Sequence, residues 1–196
     1  MSTLALGIDP DTKSTGWALL ERKQSDTRIV GVGLVRAKGR LAADRIPGMA
    51  DELERCMCNY RLGIEAPLDM VVIEWMHLRP TYKEKNPNAI LSVQAIAGMC
   101  VSATRSLRAK HVFTPTPPEW KKTMKKESKQ RAILRSLRLS DELRDSDGEF
   151  IPGAAKLPAS MRTHVIDALG LALWGLDPYG PLFQLELAAK VKARKK

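Results

Sequence analysis

Residues 4–20 read LALGIDPDTKSTGWALL. An apolar run, 4–9, ends on Asp9. Asp11, Lys13, Ser14 and Gly16 supply a turn, and a second apolar run follows over 16–21. Two such runs around a short polar turn predict a β-hairpin. The first run suits a buried strand, and a buried carboxylate is costly unless it is paired or bound to a metal. Asp9 therefore needs a partner, which the rest of the chain has to supply.

Outward from the hairpin, RIVGVGLVRA (28–37) is a third strand candidate, rich in Val and Ile. In DRIPGMADELERCMCNYRLG (44–63), Ile46, Met49, Leu53, Met57 and Tyr60 recur at helical spacing. LDMVVIEW (68–75) is the clearest buried strand, and its apolar run leads straight into Glu74. Asn88 is placed to cap a helix through AILSVQAIAGMCVSATRSL. That helix is apolar around most of its circumference, so it belongs in the core or at a subunit interface. HVFTPTP (111–117) is a short last strand with a Pro-rich end. The basic segment from Pro118 to Leu139 is helical in its second half. Residues 140–160 have Gly, Pro and acidic residues without a period, which predicts a mobile loop. MRTHVIDALGLALWGL (161–176) is a strongly apolar helix. Three antiparallel strands followed by helix, strand, helix, strand and helices predict an α/β fold with a mixed five-stranded sheet.

The chain has 196 residues, with 44% hydrophobic and 28% charged. This is the composition of a folded protein and, at this length, most simply of one domain. The unusual feature is charge: 32 Lys and Arg against 22 Asp and Glu leave +10. Such an excess points to a polyanionic partner, nucleic acid first and a membrane surface second. Cys56, Cys58 and Cys100 form no pair of C-x-x-C type, so a structural zinc site is not expected. Reduced thiols in a cytoplasmic protein are the simpler reading. Neither a signal peptide nor a bilayer-spanning run is expected.

Two buried-looking strands each finish on a carboxylate, Asp9 and Glu74. Strands adjacent in a sheet lie about 4.8 Å apart, so the two carboxylates could stand side by side. Like charges at that range repel unless one is neutral or a divalent cation lies between them. His164 and Asp167 are three apart and share one helix face. Asp9, Glu74, His164 and Asp167 together could hold two metal ions of the kind that hydrolyse phosphodiesters. Each also has a plainer reading. Asp9 can cap a turn, Glu74 can end a strand in solvent, Asp167 can favour a helix N-terminus, and His164 can be structural. Spacing alone leaves these readings open.

GIDPDTKSTGWALL, VVIEWMHL and HVIDALGLALWGL, in this order, resemble the three acidic motifs of the RuvC family of Holliday-junction resolvases. VFTPTPPEWKKTMKKESKQRAIL resembles the basic segment found between the second and third motifs, most like the phage and prophage members. The resemblance covers about residues 4–176. It implies an RNase H-like fold whose initial three-stranded antiparallel meander lies in a mixed sheet flanked by helices. It implies one nuclease domain over 1–180 with a basic tail over 181–196. It also implies dependence on Mg²⁺, with Mn²⁺ as substitute, two ions per site, and a homodimer that nicks two strands of a four-way DNA junction. Asp9, Glu74 and Asp167 match the family's acidic positions. His164 stands where many members have a further Asp. Lys13, Trp75, His77, Lys121, Lys122, Lys125, Lys126, Lys129 and Arg131 are the expected DNA contacts, with Trp120 at the edge of the basic segment as added support. The aromatic wedge of the family has no clear counterpart in Glu74-Trp75-Met76-His77.

Four rivals share parts of this pattern. The first loop also resembles that of sugar kinases and actin-like ATPases, but those proteins need a second domain and a second Gly-rich loop. YqgF-like nucleases are smaller and lack the basic segment. A broader branched-DNA or flap nuclease, or a junction-binding protein that has lost cleavage, would keep the same residues.

Overall fold

In the computed structural model, the described residues are 2–36, 38–39, 42–61, 68–76, 87–121 and 125–177. The expected tail, the segment 77–86 with His77, and Lys122 lie outside them. A five-stranded sheet is built from β1 (Ser2–Asp9), β2 (Thr15–Lys23), β3 (Asp26–Val35), β4 (Met70–Ile73) and β5 (His111–Phe113). The strand order is β3-β2-β1-β4-β5. β1 and β2 pair antiparallel, as do β2 and β3. β4 runs parallel to both β1 and β5. The predicted mixed sheet with its opening meander is the one observed.

Period-two alternation assigns the faces. Leu4, Leu6 and Ile8 of β1, with Val71 and Ile73 of β4, bury themselves in one core. That side is covered by α1 (Ala42–Arg61) and α2 (Pro87–Ser106). Ala5 and Val72 point to the opposite core, formed around α5 (Arg162–Leu176). Gly7 faces α5 as well, and its lack of a side chain is required there. A Cβ on Gly7 would sit 2.0 Å from the Ala168 carbonyl oxygen and 2.6 Å from the Ala172 nitrogen. On Gly16, opposite Asp9, it would sit 2.4 Å from the His164 carbonyl oxygen. Small residues on the two central strands thus let α5 lie almost on the sheet backbone.

Two further helices, α3 (Pro117–Lys121) and α4 (Lys126–Ser136), follow β5. α4 rests on α5 through Ile133 and Leu134. Two expectations need correction. The helix predicted to be capped by Asn88 begins at Pro87, which is suited to a first helical position because it has no N–H to satisfy. Residues 140–160 are not a free loop. Leu143, Ile151, Ala154 and Leu157 are buried in the α5-side core, and the Val32 N–H donates to the Pro152 carbonyl across the β3 edge. Single apolar anchors in a polar segment produce no period, so their docking was not visible in the sequence. Among the described residues, no helix is long and apolar enough to cross a membrane.

The close seat of α5 gives a direct test. Gly7→Ala should destabilise the protein by on the order of 3 kcal/mol, the cost of overpacking against backbone. Urea unfolding midpoints check this, and an unchanged midpoint would mean that α5 does not lie on β1 as described.

Candidate active site

Asp9 has the parity of Ala5 and Gly7, and Glu74 has the parity of Val72, so both carboxylates face α5. The ladder continues past Ile8 and Ile73, because the Glu74 N–H donates to the Ile8 carbonyl at 3.1 Å. Asp9 and Glu74 are therefore neighbours at the ends of adjacent parallel strands. His164 and Asp167 come from the first turns of α5, on the face turned to the sheet. His164 Nδ1 and Asp9 Oδ2 lie 2.8 Å apart. Asp9, Glu74 and Asp167 are all buried, at 6%, 6% and 2% exposure. The four residues singled out in the sequence are brought to one place.

Three carboxylates in a buried spot need positive charge and donors. Lys121, at the end of α3, supplies the charge: its Nζ lies 2.9 Å from Glu74 Oε1 and 3.4 Å from Asp167 Oδ2. Lys126 adds a more exposed ammonium 3.6 Å from Asp167 Oδ2. The Gln130 side-chain amide donates to Asp167 Oδ1 at 3.0 Å, and the Trp120 indole N–H donates to Glu74 Oε1 at 3.0 Å. Neither Trp120 nor Gln130 was foreseen as part of the site. Their roles depend on how α3 and α4 dock, and local spacing carries no sign of that.

The electrostatics follow from this crowding. Burial pushes the Asp9 carboxyl up to about 7; the His164 hydrogen bond and Lys121 oppose the shift, and Glu74 and Asp167 add to it. Its hydrogen bond to Asp9 raises the His164 imidazole above its ordinary value, against the effect of burial. The Asp9–His164 pair thus holds a proton toward neutral pH. Burial alone would lower the Lys121 ammonium, but Glu74, Asp167 and Asp9 outweigh it and hold the group charged.

The donor chemistry, carboxylate oxygens and one imidazole, fits a hard divalent cation. Among the described residues, no three such donors already close around a point that would grip an ion. Lys121 provides the compensating charge between Glu74 and Asp167 instead.

The expected DNA contacts separate into groups. Lys13, Lys125, Lys126 and Arg131 are exposed, and of these Lys126 reaches the site at Asp167. Lys121 belongs to the site itself. Lys129 is fully buried, contrary to its expected place on a phosphate-binding face: it lies one turn before Ile133, on the side of α4 turned to the core. Trp120 is also fully buried, so it offers DNA no stacking face. Trp75 is half-buried against the α1–α2 core, and its backbone N–H donates to the Pro115 carbonyl.

A pH dependence follows from Asp9. Its folded pKa lies above the unfolded value, so its contribution to stability is complete at low pH and is lost as pH rises. In metal-free buffer, Asp9→Asn should gain stability over wild type progressively between pH 3.8 and about 7, then level off. Paired denaturation curves across that range measure it. A pH-independent difference would show that the buried carboxyl is not perturbed.

The sequence model of the family described as crossover junction endodeoxyribonuclease RuvC matches residues 5–134. A protein of that description from Aliarcobacter butzleri is 27% identical over 93 residues, 47% of this chain and 53% of the relative. The chain spans about half the length of the curated relatives it matches. Among solved structures, T. thermophilus RuvC in complex with Holliday junction substrate aligns with a TM-score of 0.62 at 15% identity, over 94% of this chain and 96% of that one. The yeast mitochondrial Holliday junction resolvase aligns with a TM-score of 0.50 at 11% identity, over 88% of this chain and 80% of that one. At these identities the structural likeness establishes the fold, the RNase H-like mixed sheet flanked by helices. With a family match that runs from β1 into α4, the chain belongs to the RuvC family.

Proposed function

We propose that this chain is a divalent-metal-dependent endonuclease that resolves four-way DNA junctions as a homodimer. The observation that carries the reading is the convergence of Asp9 and Glu74 from adjacent strands with His164 and Asp167 from the helix packed on them. Asp9, Glu74, Asp167 and His164 would hold Mg²⁺, with Mn²⁺ as substitute and two ions per site. Bound divalent cations in such sites activate water and stabilise the leaving oxygen of a phosphodiester. His164 orients Asp9 and holds the proton they share. Lys121 offsets the carboxylate charge, and Gln130 fixes Asp167. Lys13, Lys125, Lys126 and Arg131 would meet the phosphates of the duplex arms, positioning DNA without reading its sequence. The outward face of α2, where Leu91 is half exposed, is the surface we assign to the dimer. A DNA substrate would place the protein's work in the cytoplasm of a bacterial or phage-infected host cell.

The deciding experiment is cleavage of a labelled synthetic four-way junction in Mg²⁺ or Mn²⁺, with linear duplex and flap controls. Wild type should make paired nicks in the junction. Asp9→Asn should still bind but cut about a thousandfold more slowly, on the order of 4 kcal/mol in the barrier. Equal cutting of flaps would widen the reading to a branched-DNA nuclease. Binding without cutting in either metal would leave a junction-binding protein.

The basic surface has its own test. Removing a phosphate contact should lower the salt dependence of binding by about one counterion. Lys125→Ala and Arg131→Ala should each do so while retaining the preference for junctions over duplex. An unchanged salt slope in both variants would remove Lys125 and Arg131 from the DNA surface.

A further inference from the structure

Trp120 is fully buried among Ile133, Leu134 and the residues of α5. Core filling requires only an apolar side chain of this size. The indole adds one thing: a donor that must find a partner when buried. Its partner is Glu74 Oε1, at 3.0 Å. The same oxygen accepts from Lys121 Nζ at 2.9 Å, and that ammonium lies 4.6 Å from the centre of the Trp120 ring. One side chain therefore holds two members of the site, Glu74 by hydrogen bond and Lys121 through its π face, and indole is the strongest such face.

The space for this ring comes from α5. A Cβ on Gly170 would lie 2.7 Å from Trp120 Cζ3 and 2.5 Å from Ile133 Cδ1. Gly170 is one turn beyond Asp167 on the same helix, so α5 supplies a ligand position and, just after it, the gap that seats the indole. α3 is anchored from its other end, where Glu119 Oε2 accepts from the Thr116 N–H at 2.6 Å. The short helix has little freedom to carry Trp120 away from Glu74.

We propose that Trp120 is a positioning residue. By donating to Glu74 Oε1 beside Lys121, it occupies that oxygen with two protein donors and presents Oε2 as the oxygen offered to a divalent cation. Among the described residues, Oε2 has no protein donor. The inference rests on the metal-dependent nuclease reading, and its test separates the two.

Trp120→Phe keeps an aromatic face, removes the N–H and leaves a small cavity where the pyrrole ring was. Loss of a donor that orients a metal-binding group typically costs 10- to 100-fold in metal affinity or activity. Calorimetric titration of the full-length protein with Mn²⁺, without DNA, should show that weakening. Junction cleavage should lose kcat by a similar factor with KM unchanged, and thermal melting should show that the variant is folded. A folded Trp120→Phe that binds Mn²⁺ and cuts like wild type overturns the proposal while leaving the nuclease reading intact. Wild type that neither binds Mn²⁺ nor cuts sinks the nuclease reading first, and this inference with it. If Trp120→Phe does not fold, indole ¹H–¹⁵N spectra of Glu74→Gln decide. The Trp120 Nε1–H resonance should move more than those of Trp17, Trp75 and Trp174. A Trp120 resonance indifferent to Glu74→Gln overturns the proposal.

Discussion

The repulsion among Asp9, Glu74 and Asp167 is the constraint on which the rest of the structure depends. A protein gathers three carboxylates away from water only where their charge can be used, because an uncompensated buried charge is among the most expensive features a fold can carry. The surrounding elements can be read as the compensation. α3 brings a lysine and an indole, α4 brings an amide and a second lysine, and α5 brings an imidazole that shares a proton with Asp9. The sheet supplies the fixed frame from which Asp9 and Glu74 project, and the small residues Ala5, Gly7 and Gly16 let α5 come close enough to complete the set.

The basic segment between β5 and α5 consequently serves two ends. Its inward residues, Trp120, Lys121, Gln130 and the buried Lys129, face the carboxylates or the core. Its outward residues, Lys125, Lys126 and Arg131, are exposed to solvent, and Lys126 also reaches Asp167. A run of lysines that reads as one DNA-binding strip is divided by helical geometry into a supporting side and a surface side. Negative charge gathered at the centre with exposed positive charge on the same segment is the distribution that the proposed phosphodiester chemistry would use.

Much of the fold was legible because its signals are local and periodic. The apolar runs of 4–9 and 70–73, the polar turn between the first two strands (although its expected member Gly16 already belongs to β2) and the apolar helix at 162–176 each declare themselves within a few residues. The register that sets Asp9 beside Glu74 could be anticipated, since both strands end in the same way. The 140–160 segment misled because it docks by isolated residues, and Leu143 does so in a left-handed conformation (φ 64°) that no sequence rule would assign to a buried leucine. Lys129 misled because a charge within a charged run looks exposed until the helix is seen against its neighbour.

The sequence by itself determined the types and order of the elements, the excess of positive charge, and the identity of Asp9, Glu74, His164 and Asp167 as a set, because these depend on short-range pattern and on motif. Only the tertiary structure decided which oxygen of each carboxylate is already engaged, which lysine is a counter-ion and which is surface, and that Trp120 and Gln130 belong to the site at all. Those properties come from contacts between residues 37 or more positions apart in the chain, such as Gln130 with Asp167, Trp120 with Glu74 and His164 with Asp9. Such contacts exist only once α3, α4 and α5 have packed on the sheet.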